Sequence, residues 1–156
     1  MVTIASVGRS VYPDGMAAER RDLLASVLPL AKALRRIEDA AAAEHGITMW
    51  QYAILSVAAA APGMNQSEMA SGMGYSKNRI VADIDQLEQH ELLRRQPGAD
   101  RRVHTLRATD AGIAAMRAIR TEIHRREDEL LAGISATAQR EFHRSVRRLG
   151  EQISGR

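Results

Sequence analysis

Residues 65–89 read NQSEMASGMGYSKNRIVADIDQLEQ, and this stretch decides the fold. Asn65 or Gln66 is suited to open a short helix running to Gly72. Gly74-Tyr75-Ser76 then turns the chain, and Ser76 is placed to cap a second helix from Lys77 to about Gln89. Met69, Ala70, Met73, Ile80, Ile84 and Leu87 fall on one inward stripe across the pair. Two helices joined by a glycine-bearing turn of about four residues make a helix-turn-helix.

Downstream the chain changes character. Leu92-Leu93-Arg94-Arg95-Gln96 and Val103-His104-Thr105-Leu106-Arg107 flank Pro97-Gly98-Ala99-Asp100, the pattern of a small hairpin with a polar tip. A helix-turn-helix followed at once by a basic hairpin is a winged helix. Its second helix is shaped to enter a major groove about 12 Å wide, and the hairpin tip reaches the adjacent minor groove. Arginine suits such a tip, because narrow A·T-rich minor grooves concentrate negative potential and guanidinium is more weakly hydrated than ammonium. Asp100, two residues before Arg102, is placed to hold that guanidinium before DNA arrives.

Upstream, Thr48 caps a predicted helix from Met49 to Ala60, stopped by Pro62-Gly63. Before it, Leu23, Val27, Leu30, Leu34 and Ile37 recur at helical spacing on one long helix from Met16 to about Glu44. Pro29 should kink or divide that helix. Residues 1–15 have no sustained period and read as a flexible arm. Beyond Thr109, Ile113, Met116, Ile119, Ile123 and Leu130 line a helix ending near Gly133; Ser135 caps a last helix carrying Phe142, Val146, Leu149 and Ile153.

The expected organisation is therefore an arm (1–15), a dimerisation helix (16–45), a winged helix-turn-helix domain (46–108) and C-terminal dimerisation helices (109–156). The winged domain needs only its own small core, which leaves the terminal stripes unpartnered. A second copy would bury Leu23, Val27, Leu30, Ile119, Ile123, Phe142, Val146, Leu149 and Ile153. A two-fold dimer sets its recognition helices about one DNA turn, roughly 34 Å, apart on a near-palindromic site.

Composition agrees with a mainly α class: 26 of 156 residues are alanine and 3% are aromatic. The net charge of +3 is unevenly placed. Residues 37–76 hold Glu38, Asp39, Glu44 and Glu68 with no Lys or Arg, whereas Leu92–Arg107 sets five arginines against Asp100 alone. The absence of cysteine excludes a disulfide scaffold, a thiolate zinc site, an iron–sulfur cluster and a thiol redox switch. No apolar run approaches the roughly 20 residues that a bilayer needs. The first 15 residues lack a secretory core, so a cytoplasmic location is expected. His45, His90, His104, His124 and His143 form no pair at ligand spacing, so no metal site is expected. Neither a nucleophile elbow, nor a phosphate-binding glycine loop, nor a paired-carboxylate motif is present; the expectation is a protein without cofactor that is not an enzyme.

Gly46-Ile47-Thr48-x-x-Gln51-Tyr52, then Asn65-Gln66-Ser67-Glu68-Met69-Ala70-x-x-Met73-Gly74-x-Ser76, then Asp100-x-Arg102-x-x-x-Leu106-x-Ala108-Thr109-x-x-Gly112 resemble the MarR family of bacterial transcription regulators in order and spacing. The resemblance implies a homodimeric winged-helix repressor or activator whose helix Lys77–Gln89 reads the major groove. It also implies Arg102 as wing-tip arginine, Asp100 as its supporting carboxylate, and release from DNA by a small, commonly aromatic ligand held between the dimer helices and the winged domain. Four positions depart from the family pattern. Ala82 and Gln86 stand where basic residues are common, Asp83 where leucine is usual, and Glu91 where glycine is common. Arg79, one turn from Asp83, is placed either to pair with it or to reach a base.

The candidate contacts to double-stranded DNA are Ser76, Lys77, Asn78, Arg79, Arg94, Arg95, Asp100, Arg101 and Arg102. Ser76 combines a capping role with a phosphate contact at a helix N-terminus. Gln86 stays open between groove contact and ordinary surface. Met49, Trp50, Tyr52 and Met69 are the candidates for lining a ligand crevice, against the plainer reading that they are core; Trp50 is the best of them, because Tyr52 and Ile54 already supply the inward face. The basic C-terminal run reads as a solvated helix face. These features point to a sequence-specific, homodimeric DNA-binding regulator, a repressor, responsive to a small molecule. The alternative, motivated by Ala82, Asp83 and Glu91, is a winged-helix protein-interaction or ligand-binding module without specific DNA affinity.

Overall fold

A computed structural model describes residues 22–98 and 102–155. Among these residues the order is α1 (Leu23–Ala43), α2 (Met49–Ala60), α3 (Gln66–Gly72), α4 (Lys77–Gln89), β1 (Leu93–Pro97), β2 (His104–Ala108), α5 (Asp110–Leu131) and α6 (Ala136–Ser154). Local chemistry sets several of these ends. The Thr48 hydroxyl accepts from the Gln51 amide at 3.1 Å, and the Gln51 carboxamide oxygen accepts from the Thr48 amide at 2.9 Å. Asn65 and Glu68 repeat this reciprocal box at the start of α3, both bonds at 2.9 Å. Loss of such a cap costs about 1 kcal/mol. Gly74, at φ +60, supplies the left-handed residue that the turn between α3 and α4 requires.

The chain divides into two compact units, one ending at Ala33 and one beginning at Leu34. In the first, Leu23, Leu24, Val27 and Leu28 of α1 are exposed and Leu30 is half-buried. Of the two outcomes expected at Pro29, a kink or a division, division does not occur: α1 is one helix with Pro29 inside it; a proline removes one ladder bond, and the helix persists where the turns on both sides hold. The expected arm, residues 1–15, lies outside the described residues.

The second unit holds the core. Ile54 and Leu55 of α2, Met69 of α3, Ile80, Ile84 and Leu87 of α4, Leu93 and Leu106 of the hairpin, and Ile119 of α5 are fully buried there. Each such side chain contributes roughly 1.5–3 kcal/mol by leaving water. Ile119 and Ile123, expected on a dimer face, are instead covered by their own chain, where α5 packs on α2. Helical periodicity identifies an apolar face without saying what covers it. On α6 the outcome is different: no residue of the helix is buried, Phe142 is half-buried, and Val146, Leu149 and Ile153 are exposed. Gln139 of α6 closes the end of α5 by donating from Nε2 to the carbonyls of Leu131 and Ile134, at 2.9 and 3.1 Å.

The hairpin is antiparallel and runs from Leu93 opposite Ala108 to Pro97 opposite His104, one residue later on each strand than the sequence predicts. The connection between α2 and α3 lies along β2: the Leu106 amide donates to the Met64 carbonyl at 2.9 Å, and Asn65 bridges to Thr105. At the start of α5 the Thr109 hydroxyl accepts from the Gly112 amide at 2.9 Å and donates to the Glu91 carbonyl at 2.7 Å. Gly112 lies so close to the Leu92 carbonyl that a Cβ there would fall 1.9 Å from the oxygen. The Thr-x-x-Gly start of the helix is thus a docking point against the turn before β1. Glu91, in that turn, sits at φ 58. That left-handed conformation explains why glycine suits the position and makes the departure a matter of backbone conformation.

Candidate nucleic-acid interface

Helix α4 buries Ile80, Ile84 and Leu87 and exposes Lys77, Asn78, Arg79, Val81, Ala82, Asp85 and Gln86. Ser76 occupies the N-cap position, but its hydroxyl makes no capping bond, contrary to the sequence expectation. Its carbonyl begins the helical ladder, accepting from the amides of Arg79 and Ile80 at 3.1 and 3.0 Å. The exposed hydroxyl and the first-turn amides lie together at the positive end of the helix, the arrangement that favours an anion.

Two basic residues of α4 face three acidic ones, a balance that by itself would repel DNA. Each carboxylate has a partner within the fold. Asp83 Oδ2 accepts from the Tyr75 hydroxyl at 2.7 Å, and its Oδ1 accepts from Gln51 Nε2 at 3.3 Å. Asp85 Oδ1 lies 2.6 Å from Arg95 Nη2. Glu88 accepts from both the Arg95 guanidinium and the Arg95 amide, the latter at 2.8 Å. Gln86 is engaged from behind by the same Gln51 carboxamide.

Tyr75, to which the sequence reading assigned only a turn, organises the start of α4. Its ring stacks on Trp50 with centroids 4.3 Å apart and planes 19° from parallel, while the Arg79 guanidinium carbon lies 5.9 Å from the Tyr75 centroid. Burial first, and then the bond to Asp83, push the Tyr75 hydroxyl above its ordinary pKa, so it stays a donor. Of the two roles open to Arg79, pairing with Asp83 is not the one adopted: Asp83 bonds Tyr75 and Gln51, and Arg79 lies over the Tyr75 ring.

The hairpin separates its arginines by strand alternation. Arg95 points with Leu93 toward α4 and is spent on Asp85 and Glu88, so its guanidinium is not turned outward with the others. Arg94 is exposed on the opposite face, directly across from Arg107. Arg107 is a cation of the wing that the candidate set lacks, and cross-strand register is the signal that finds it. The two arginines, with Glu91, Gln96, Thr109 and Asp110, border a cavity of about 380 Å³. Arg102 is exposed at the turn into β2, whereas Asp100 and Arg101 lie outside the described residues.

The four ligand candidates do not share one environment. Met69 is fully enclosed in the core, which removes it from the lining of any open crevice. Met49, Trp50 and Tyr52 are half-buried; Trp50 gives one ring face to Tyr75, and Tyr52 packs against the core. Among the described residues no cluster of side chains is suited to a metal ion, and no helix is long and apolar enough to cross a membrane.

The MarR family model matches residues 47–104. A putative transcriptional regulatory protein for the hcr operon of Thauera aromatica is 31% identical over 110 residues, which cover 70% of this chain and 66% of that protein. The chain therefore spans just under two thirds of the length of that relative. A crystal structure of a mutant MarR from E. coli shares the fold with a TM-score of 0.76 at 16% identity, covering 84% of this chain and 98% of that one. The MarR family protein Rv2887 of Mycobacterium tuberculosis, solved in complex with DNA, gives a TM-score of 0.75 at 21% identity, covering 84% of this chain and 99% of that one. The same protein in complex with p-aminosalicylic acid gives 0.71 at 22% identity, covering 83% and 99%.

Proposed function

The chain belongs to the MarR family, and from that premise we propose that it is a homodimeric repressor that binds a specific double-stranded DNA sequence and leaves it when a small aromatic molecule binds. The observation that carries this reading is the internal engagement of Asp83, Asp85 and Glu88. With its carboxylates held by Tyr75, Gln51 and Arg95, α4 presents Lys77, Asn78 and Arg79 together with the small apolar side chains of Val81 and Ala82. The polar group suits phosphates and base edges; the apolar pair suits thymine methyl groups in the major groove. Arg94, Arg102 and Arg107 add the positive wing.

Other observations support the remaining parts. The exposed leucines and valine of α1 and the exposed Val146, Leu149 and Ile153 of α6 are apolar faces of the kind a second copy covers. Two MarR-family complexes of similar fold, one with DNA and one with p-aminosalicylic acid, support DNA and an aromatic acid as partners. Release would follow from the ligand preferring the dimer whose two α4 helices do not fit successive grooves. The module without DNA affinity loses much of its motive, because the Asp83 carboxylate is engaged inside the fold and the departure at Glu91 is one of backbone conformation.

Fluorescence anisotropy with the duplex upstream of its own gene, and with a scrambled duplex, tests the proposal. The upstream duplex should bind more tightly, with affinity falling steeply as salt displaces the released counterions. Equal affinity for both duplexes at every salt concentration defeats it.

A further inference from the structure

The network around Tyr75 joins three things that the sequence keeps apart: the indole of Trp50 on α2, the guanidinium of Arg79 in the first turn of α4, and the carboxylate of Asp83 one turn later. Resting on the DNA-binding reading above, we infer that Tyr75 is a positioning residue for DNA recognition, which holds Arg79 at the mouth of α4 and keeps the Asp83 carboxylate turned into the fold.

Each part of the network has a separate physical task. The Trp50 ring supports one face of Tyr75, so the phenol cannot swing out of the turn. Arg79 lies over the same ring, an attraction that narrows the rotamers of a long side chain before any DNA is met. The Tyr75 hydroxyl and the Gln51 amide together satisfy Asp83 from the protein side. Without those donors the carboxylate would be drawn toward solvent, on a helix whose only cations are Lys77 and Arg79. Asp83 in place of the usual leucine is thereby matched by a hydroxyl-bearing ring at Tyr75, and the pair acts as a unit.

The test uses a duplex enriched from a random pool by the wild-type protein, and the scrambled duplex of equal composition. Tyr75→Leu removes stack, cation contact and hydroxyl together; Tyr75→Phe removes the hydroxyl alone. The ratio of enriched to scrambled affinity should fall about tenfold in Tyr75→Leu, the scale of one well-placed base contact. A smaller fall is expected in Tyr75→Phe, and Asp83→Asn should restore it by removing the unsatisfied charge. In the Tyr75→Leu background, Arg79→Ala should cost little more, because the two residues act together. Emission of the single tryptophan reports whether the stack is lost while the thermal transition shows that the variant is folded. If Tyr75→Leu lowers the melting temperature but leaves the affinity ratio and the effect of Arg79→Ala unchanged, the residue serves packing alone and the inference is overturned. Failure of the wild-type protein to enrich any duplex overturns the DNA-binding reading as well, and so separates the two failures.

Discussion

Arg95 Nη2 lies 2.6 Å from Asp85 Oδ1, so a side chain of the hairpin is fastened to the helix that it flanks. Glu88 takes both the guanidinium and the backbone amide of the same residue. The hairpin therefore cannot tilt freely against α4. Arg95→Ala should lower stability by about 1 kcal/mol, a modest amount because the ion pairs are partly exposed, as measured by urea unfolding. It should leave the slope of DNA affinity against salt unchanged, whereas Arg94→Ala should reduce that slope by about one. Equal reductions in the two variants would place Arg95 on phosphate and refute the fastening role.

Gly112 is tested by the smallest change available. A methyl group at this position meets the Leu92 carbonyl oxygen at 1.9 Å and its carbon at 2.9 Å, and this backbone obstacle leaves little room to yield. Gly112→Ala should destabilise the protein by about 3 kcal/mol, despite alanine's better helix propensity. A gain in melting temperature would show that α5 can move away from the turn before β1.

Glu91→Gly should act in the opposite direction. The residue holds φ 58, which costs a side-chain-bearing residue about 1 kcal/mol, while its contribution to the Thr109 bond is a backbone carbonyl that glycine retains. Calorimetry should show a higher transition temperature, with DNA affinity unaltered. Lower affinity at unchanged salt slope would assign the carboxylate a part in DNA recognition.

Two glutamates give stability opposite pH trends. Burial, followed by repulsion from Glu127 and Asp39, raises the Glu38 carboxyl above its ordinary 4.5. Its charged form is therefore less comfortable in the folded chain, and stability is lost as pH rises through the raised value. Glu122 is held down at about 2 by bonds from Arg125 and Arg126, so its contribution is present above 4.5 and is lost as pH falls toward 2. Glu38→Gln should raise the melting temperature at pH 7 and lose its advantage below pH 4.5. Glu122→Gln should lower the melting temperature at pH 7, with the difference closing as pH approaches 2.

Helices α2, α3 and α4 were legible in the sequence because their ends are set by neighbours. Thr48 with Gln51, Asn65 with Glu68, and Gly74 before Ser76 all act within a few residues. Burial of Ile119 and Ile123 was legible only as a period, since the identity of the covering surface depends on how α5 meets α2. Arg95 was obscured by the charge around it. Alternation from buried Leu93 places it on the α4 side, and two carboxylates one helical turn apart, Asp85 and Glu88, were its available partners. Tyr75 had no periodicity to announce it. The signal that could have found it was Asp83, beside the buried stripe of Ile80, Ile84 and Leu87, where a carboxylate requires a donor from elsewhere in the fold.

The pairing along β2 also bears on self-association. Leu106, whose backbone faces away from β1, has its amide and carbonyl taken by Met64 and Gly63, so that edge of the hairpin is closed. On the other edge, the amide of Arg95 belongs to Glu88, and Pro97 has none to offer. An incoming strand from another molecule therefore finds few donors to begin a ladder, even at the high local concentrations of synthesis. Glu88→Leu would reopen that edge, and the hairpin would become a template for aggregation during folding.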